Sequence, residues 1–174
     1  MSLINKLFNK LSTQKSSAAE VEEKVRTSKK LLALYISQLR NQIIVAPYHK
    51  NNPGIYYEQD SCTSLNYDSD PLVIGEEVVK NFHLFSFKDR DLRDGKSTDW
   101  PAYKLSKMRS VTSFKKEYLR VSVAGANESN ISLEIKAQLT SDKELEIGSV
   151  ISTTANKKAI GELILKIYKK AIEG

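Results

Sequence analysis

The sequence predicts an α+β fold: an antiparallel or mixed sheet with a C-terminal β-meander, flanked by helices and preceded by an N-terminal helical segment. Three observations predict it. Between Leu119 and Ile147 apolar and polar residues alternate with a period of two, broken by two polar turn stretches. Around Ile74–Phe82 and Ile160–Ala171 apolar residues instead recur three and four apart, as on one face of a helix. The stretch 48–68, rich in Asn, Pro, Gly, Asp and Tyr, and the stretch 85–99, polar after Phe87 and punctuated by Gly95, separate these patterns as long loops.

With 174 residues, 40% apolar and 28% charged, the chain has enough apolar material for one core. The expected organisation is an amphipathic N-terminal segment and linker over 1–16, then a single α+β domain over 17–174. No run approaches the ~18 apolar residues of a spanning helix. The single cysteine excludes an intramolecular disulfide and fits a reducing, cytoplasmic setting. The net charge of +6 is unevenly placed. Residues 1–30 carry +4 and 156–174 carry +3, while 31–155 sum to −1. The basic excess is terminal, and the body is near neutral.

Taken in order, Leu3, Ile4, Leu7, Phe8 and Leu11 are spaced as a short amphipathic helix, read as packing on its own domain rather than as a membrane anchor. From Ser17, with Glu20 completing a capping box, the stripe Val21, Val25, Ser28, Leu32, Tyr35, Leu39 predicts a helix ending near Arg40. Ile43–Val45 is a brief β-type run stopped by Pro47, followed by a loop with a short strand at Ile55–Tyr57. Ser69 or Asp70 caps the next helix, with Pro71 where its missing N–H is harmless and Ile74, Val78 and Phe82 inward. Strands through Leu119–Val123, Ile131–Leu139 and Leu145–Ile147 form the meander, and a helix from about Ala155 closes the chain.

One echo stands out: IGEEVVK at 74–80 and IGELILK at 160–166. Glycine costs ~1 kcal/mol in a helix interior. Its presence at the same place in both helices predicts close approach of another backbone, taken to be a strand crossing each helix.

Few residues suit catalysis. His49, His83 and Cys62 lack metal-ligand spacing, and no nucleophile signature surrounds Cys62. Asp89, Asp91, Asp94 and Asp99 alternate with Lys88, Arg90, Arg93 and Lys96, a self-neutralising loop rather than a cation site. Gly-rich phosphate loops are absent. No enzyme activity, metal or cofactor is expected.

From Trp100 the chain runs WPAYKLSKMRSVTSFKKEYLRVSV, placing Trp100, Tyr103, Ser106, Arg109, Ser110, Val111 and Phe114 ahead of a strand. This resembles the W-x-x-[YF]-x-x-S-x-x-[KR]-S pattern that precedes a β-hairpin in CdiI-type immunity proteins of bacterial contact-dependent growth inhibition systems. The resemblance extends over roughly 70–174, including the helix before a variable loop and a Gly-containing final helix. It implies an α+β immunity protein of the cytoplasm, a toxin inhibitor without catalysis, whose partner is the toxic C-terminal domain of a cognate toxin. The motif residues Trp100, Tyr103, Ser106, Arg109, Ser110 and Phe114 read as mostly structural, with Trp100 and Phe114 in the core and Ser106 and Ser110 capping a helix over 112–117.

Partner binding needs a complementary surface of ~800 Å² a side. The expected toxin-binding residues are Tyr56, Tyr57, Glu58 and Asp60, with Asp89, Asp91 and Asp94 second, since acids and tyrosines would match a basic nuclease. An exposed strand edge offers a further route. The basic overall charge departs from what a nuclease inhibitor usually shows. The alternative reading is a small nucleic-acid-associated protein using its basic ends, although body strands bearing Glu as often as Lys speak against nucleic acid as partner. An unrecognised hydrolase comes third. Stable membrane insertion is not expected.

Overall fold

The segment KLLALYIS, expected to finish a helix, is instead a central strand of the sheet. The computed structural model describes residues 29–92, 99–125, 129–140 and 143–173, and in it β1 runs Lys30–Ser37 and β2 runs Gln42–Lys50. The reason for the correction is burial on both faces. Leu32, Leu34 and Ile36 point into one core and Ala33 and Tyr35 into another. A strand covered on both sides loses its period-two signal and reads as a continuous apolar run. Leu39, assigned to the helix stripe, is 85% exposed in the turn after β1. There Asn41 takes φ 48°, a left-handed conformation Asn tolerates. The earlier part of that helix, like the amphipathic segment and linker, falls in 1–28, outside the described residues.

Pro47 does not stop β2 but sits inside it. Its carbonyl accepts a hydrogen bond from the Gln59 amide at 2.8 Å, so its ring nitrogen faces that flank as well and not β1. On the same flank β4 (Thr63–Leu65) pairs with residues 43–45 and β3 (Tyr56–Glu58) with residues 48–50. A proline fits where the partner strand changes.

Helix α1 spans Pro71–Phe82 as expected, capped by the Asp70 carboxylate accepting from the Leu72 amide at 2.8 Å. After the two-residue β5 (Ser86–Phe87), short helices α2 (Pro101–Ser106) and α3 (Val111–Glu117) lead into β6 (Leu119–Gly125). The meander continues through β7 (Asn130–Thr140) and β8 (Lys143–Ser152), and α4 (Lys157–Glu173) ends the fold. The tips at 126–128 and 141–142 lie outside the described residues. The eight-stranded sheet is ordered β3-β2-β1-β6-β7-β8, with β4 and β5 also on β2. Every pairing is antiparallel except β2 with β5.

One face of the sheet is covered by α1 and α4. The glycine echo is resolved there, with a correction: the backbone that approaches each glycine is the other helix, not a strand. A Cβ on Gly75 would lie 1.8 Å from the Lys157 carbonyl oxygen, and one on Gly161 would lie 1.9 Å from that of Pro71. The helices cross with their backbones touching, and this lets Ile74, Val78, Ile160 and Ile164 reach the sheet together. Each fully buried aliphatic side chain contributes about 1.5–3 kcal/mol. The other face is covered by α2, α3 and the loops around β3 and β5, and it carries the site. Among the described residues no helix is long and apolar enough to cross a membrane.

Candidate functional site

The second face is built on a buried carboxylate. Glu58 ends β3 and is only 7% exposed. Its Oε1 accepts from the Tyr35 hydroxyl at 2.6 Å and from Trp100 Nε1 at 2.6 Å, and its Oε2 accepts from the Ala102 amide at 3.0 Å. The last bond explains how α2 begins. Trp100 occupies its N-cap position with no side chain able to cap, Pro101 opens the helix, and Ala102 presents an unpaired N–H. Glu58 supplies the missing cap from another strand, and charge-assisted bonds offset the cost of burying it.

Around this anchor the aromatic residues of the Trp100–Phe114 motif converge. Phe114 is buried at the centre, with ring centroids 5.0 Å from Trp100, 5.2 Å from Tyr35, 6.0 Å from Tyr103 and 4.8 Å from Tyr118. Phe114 is thus core, while Trp100 is half-buried and keeps one side toward solvent. The two serines divide their tasks differently from expectation. Ser110 caps α3, accepting from the Ser113 amide at 3.1 Å. Ser106 closes α2 instead, donating to the Tyr103 carbonyl and accepting from the Met108 amide while Lys107 turns through φ 56°. Arg109 is exposed beside Arg40 and Lys107 in a shallow hollow of about 360 Å³.

Between the motif and β3 opens a cleft of about 600 Å³. Its floor and walls are Tyr35, Tyr48, Tyr56, Tyr57 and Trp100, and Arg90, Lys115 and Arg120 stand around it. Arg120 Nη2 donates to the Tyr48 hydroxyl at 3.2 Å. Lys115 Nζ lies 5.9 Å from the Trp100 ring, and the Arg90 guanidinium 5.9 Å from that of Tyr57. Burial, reinforced by Tyr48 and Glu58, pushes the Tyr35 phenol far above its ordinary value, so it stays a donor to Glu58. Burial also raises Tyr48, against the opposing pull of Arg120.

The expected contact residues are brought to one edge of this face. Tyr57 donates to the Lys88 carbonyl at 2.7 Å, and the Asp89 carboxylate accepts from the Asn52 amide at 3.3 Å, so β3 lies against the loop at 88–92. Tyr56 donates to the Lys29 carbonyl at 2.9 Å. Asp60, Asp89 and Asp91 are exposed, whereas Asp94 lies outside the described residues. Glu58 differs from the rest of the set, because its carboxylate is occupied internally. The expectation missed the basic trio and the two β-strand tyrosines. Arg90, Lys115 and Arg120 come from a loop, a helix and a strand, and no spacing in the chain links them.

Other groups play local roles. The His49 Nδ1 lies 2.9 Å from Ser86 Oγ, a pair made by the register of β2 with β5, and burial together with Lys88 lowers the His49 pKa. Asp99 pairs with Lys104 at 3.6 Å. Among the described residues no three His, Cys, Asp or Glu side chains gather as a metal site.

Fold and site together define an α+β domain with one face closed by a crossed helix pair and the other opened as an aromatic, cation-edged cleft. No family model matches the chain, and no curated protein does. Solved structures share its fold. It is similar to a protein of unknown function from Neisseria meningitidis, with a TM-score of 0.62 at 13% identity, over 82% of this chain and 96% of that one. It is also similar to a chain of the CdiA-CT/CdiI toxin and immunity complex from Yersinia pseudotuberculosis, with a TM-score of 0.57 at 11% identity, over 81% of this chain and 97% of that one.

Proposed function

We propose that this chain is a CdiI-type immunity protein, a cytoplasmic module that binds and neutralises the toxic C-terminal domain of a cognate contact-dependent growth inhibition toxin and catalyses nothing itself. The observation that carries this reading is the fold shared with a chain of a toxin–immunity complex along nearly that chain's whole length. The Trp100–Phe114 motif is a second support, and its Trp100 and Val111 line the cleft. The partner is a folded protein domain, held at the cleft and along the β3 edge with Tyr56, Tyr57 and Asp60, and with Asp89 and Asp91 in the neighbouring loop.

The test is co-expression with the toxic tail of a large exoprotein encoded beside this gene. Cells making the tail should grow only when this chain is also made, and the two should co-purify as a stable complex. Growth arrest despite co-expression, with no complex recovered, overturns the reading.

A further inference from the structure

The cleft has a definite charge preference, opposite to that expected of the contact loops. Its two lining carboxylates are engaged: Glu58 by Tyr35, Trp100 and Ala102, and Asp99 by Lys104. The cations are placed differently. Arg90 and Lys115 lie beside aromatic rings and Arg120 against a neutral hydroxyl. Among the described residues none of the three forms an ion pair with a carboxylate. All three side chains are solvent-exposed. Aromatic faces and a phenol can orient a cation without cancelling its charge. The cleft is therefore lined by three cations against two carboxylates, a net positive charge over an aromatic floor, in a concavity of about 600 Å³, large enough for one or two side chains.

We infer that this cleft is the recognition pocket for an acidic segment of the protein partner, which inserts an Asp or Glu side chain, flanked by an aromatic or aliphatic one, between Arg90, Lys115 and Arg120. The carboxylate meets the guanidinium groups, where bidentate geometry is available, and the flanking apolar group packs on Trp100 and the tyrosines. Two exposed arginines and a lysine draw the partner in over long range, and the ring-lined floor supplies contact area once it docks. This inference deepens the immunity reading and rests on it for the identity of the partner, but the chemistry of the cleft is testable alone.

Trp100 is the only tryptophan in the chain and lines the cleft, so its emission reports on occupancy. The full chain is titrated with the capped peptide Gly-Glu-Tyr-Asp-Gly and with its uncharged counterpart Gly-Gln-Tyr-Asn-Gly. The acidic peptide should change Trp100 emission saturably at sub-millimolar to millimolar concentration, and bind at least about tenfold more tightly than the neutral one. The variant Arg90→Gln/Lys115→Gln/Arg120→Gln should abolish this preference while melting with an unchanged profile. A control with Lys158→Gln/Lys166→Gln/Lys169→Gln, on the exposed side of α4, should keep it. Equal response to both peptides, no saturable response, or an unaffected cleft variant overturns the inference, as does tighter binding of a single-stranded oligonucleotide, which would make phosphate the ligand. A parallel measurement with the toxic tail separates the two claims. If the wild-type chain binds the tail and the cleft variant binds it equally well, the cleft assignment falls and the immunity reading stands. If the wild-type chain does not bind the tail while the acidic peptide still selects the cleft, the reverse holds.

Discussion

The two faces of the sheet are stabilised by different physics. Toward α1 and α4 the interior is mainly aliphatic, with Phe82 and Tyr168 its buried aromatics: Leu32, Leu34, Ile36, Val121, Leu133 and Ile135 meet Ile74, Val78, Ile160 and Ile164, and helix spacing is set by two glycines. Toward α2 and α3 it is aromatic and polar: Tyr35, Phe114 and Tyr118 pack together, and Tyr35 and Trp100 donate to a buried carboxylate whose bonds hold the start of α2 to β3. An aliphatic face tolerates substitution in proportion to volume, because its contacts are non-directional. A polar face depends on individual groups, since each buried donor or acceptor left unmade costs its full desolvation. The face that specifies is also the one that opens to solvent.

The largest effect should come from the helix crossing. Gly75→Ala places a methyl group 1.8 Å from the Lys157 carbonyl oxygen, where neither backbone can move without separating α1 from α4. The expected loss is about 3 kcal/mol or more, at the upper end for overpacking, read from urea unfolding. Gly161→Ala should cost a similar amount. Because both substitutions push the same pair of backbones apart, the double variant should lose clearly less than the sum. Strict additivity would show that the crossing is not one shared contact.

A smaller loss, about 2 kcal/mol, is expected from Glu58→Gln on the other face. The glutamine carbonyl can still accept from Tyr35 and Trp100. Its amide then confronts the Ala102 N–H, donor against donor, and α2 loses its cap. Trp100 emission should shift to the red as the indole loosens, while the crossing of α1 and α4 is undisturbed. Unchanged stability with unchanged emission would mean that the carboxylate network does not hold the cleft.

The same contrast decides what could be read from the chain. The meander was legible because β7 and β8 keep a period-two pattern, and α1 because Asp70 and Pro71 mark its start. The echo of Gly75 and Gly161 was a correct sign of backbone contact, but which backbone lay beyond any local pattern. β1 failed because burial on both sides erased its alternation. Of the site, Tyr56, Tyr57 and Trp100 were found as aromatics in notable contexts. Glu58 was found with its direction reversed, since a carboxylate in an acidic loop looks exposed until the tryptophan 42 positions later closes over it. Arg90 joins Lys115 and Arg120 only through tertiary structure, and the latter two, five positions apart, belong to a helix and the strand after it, so no single periodicity marks them as sharing one cleft.

The smallest and most local effect concerns Cys62, which packs at the edge of the aromatic face with its thiol against the Gln59 carbonyl. Burial, together with the negative charges of Glu58 and Asp60, pushes its pKa up to about 12 from an ordinary value of 9.0. At pH 8 the native thiolate fraction is then lower by roughly a thousandfold than in the unfolded chain, and the reaction with Ellman's reagent should slow accordingly. The folded state keeps a proton that the unfolded chain releases, so this group's contribution is intact below pH 9.0 and is lost as pH rises toward 12. Cys62→Ser should flatten the first part of that alkaline decline, before the tyrosines ionise. Glu58→Gln removes one of the two charges and should accelerate thiol modification while the chain remains folded. Were the rate unaffected, Glu58 would not reach Cys62 electrostatically, and the polar face would be a set of separate contacts rather than one network.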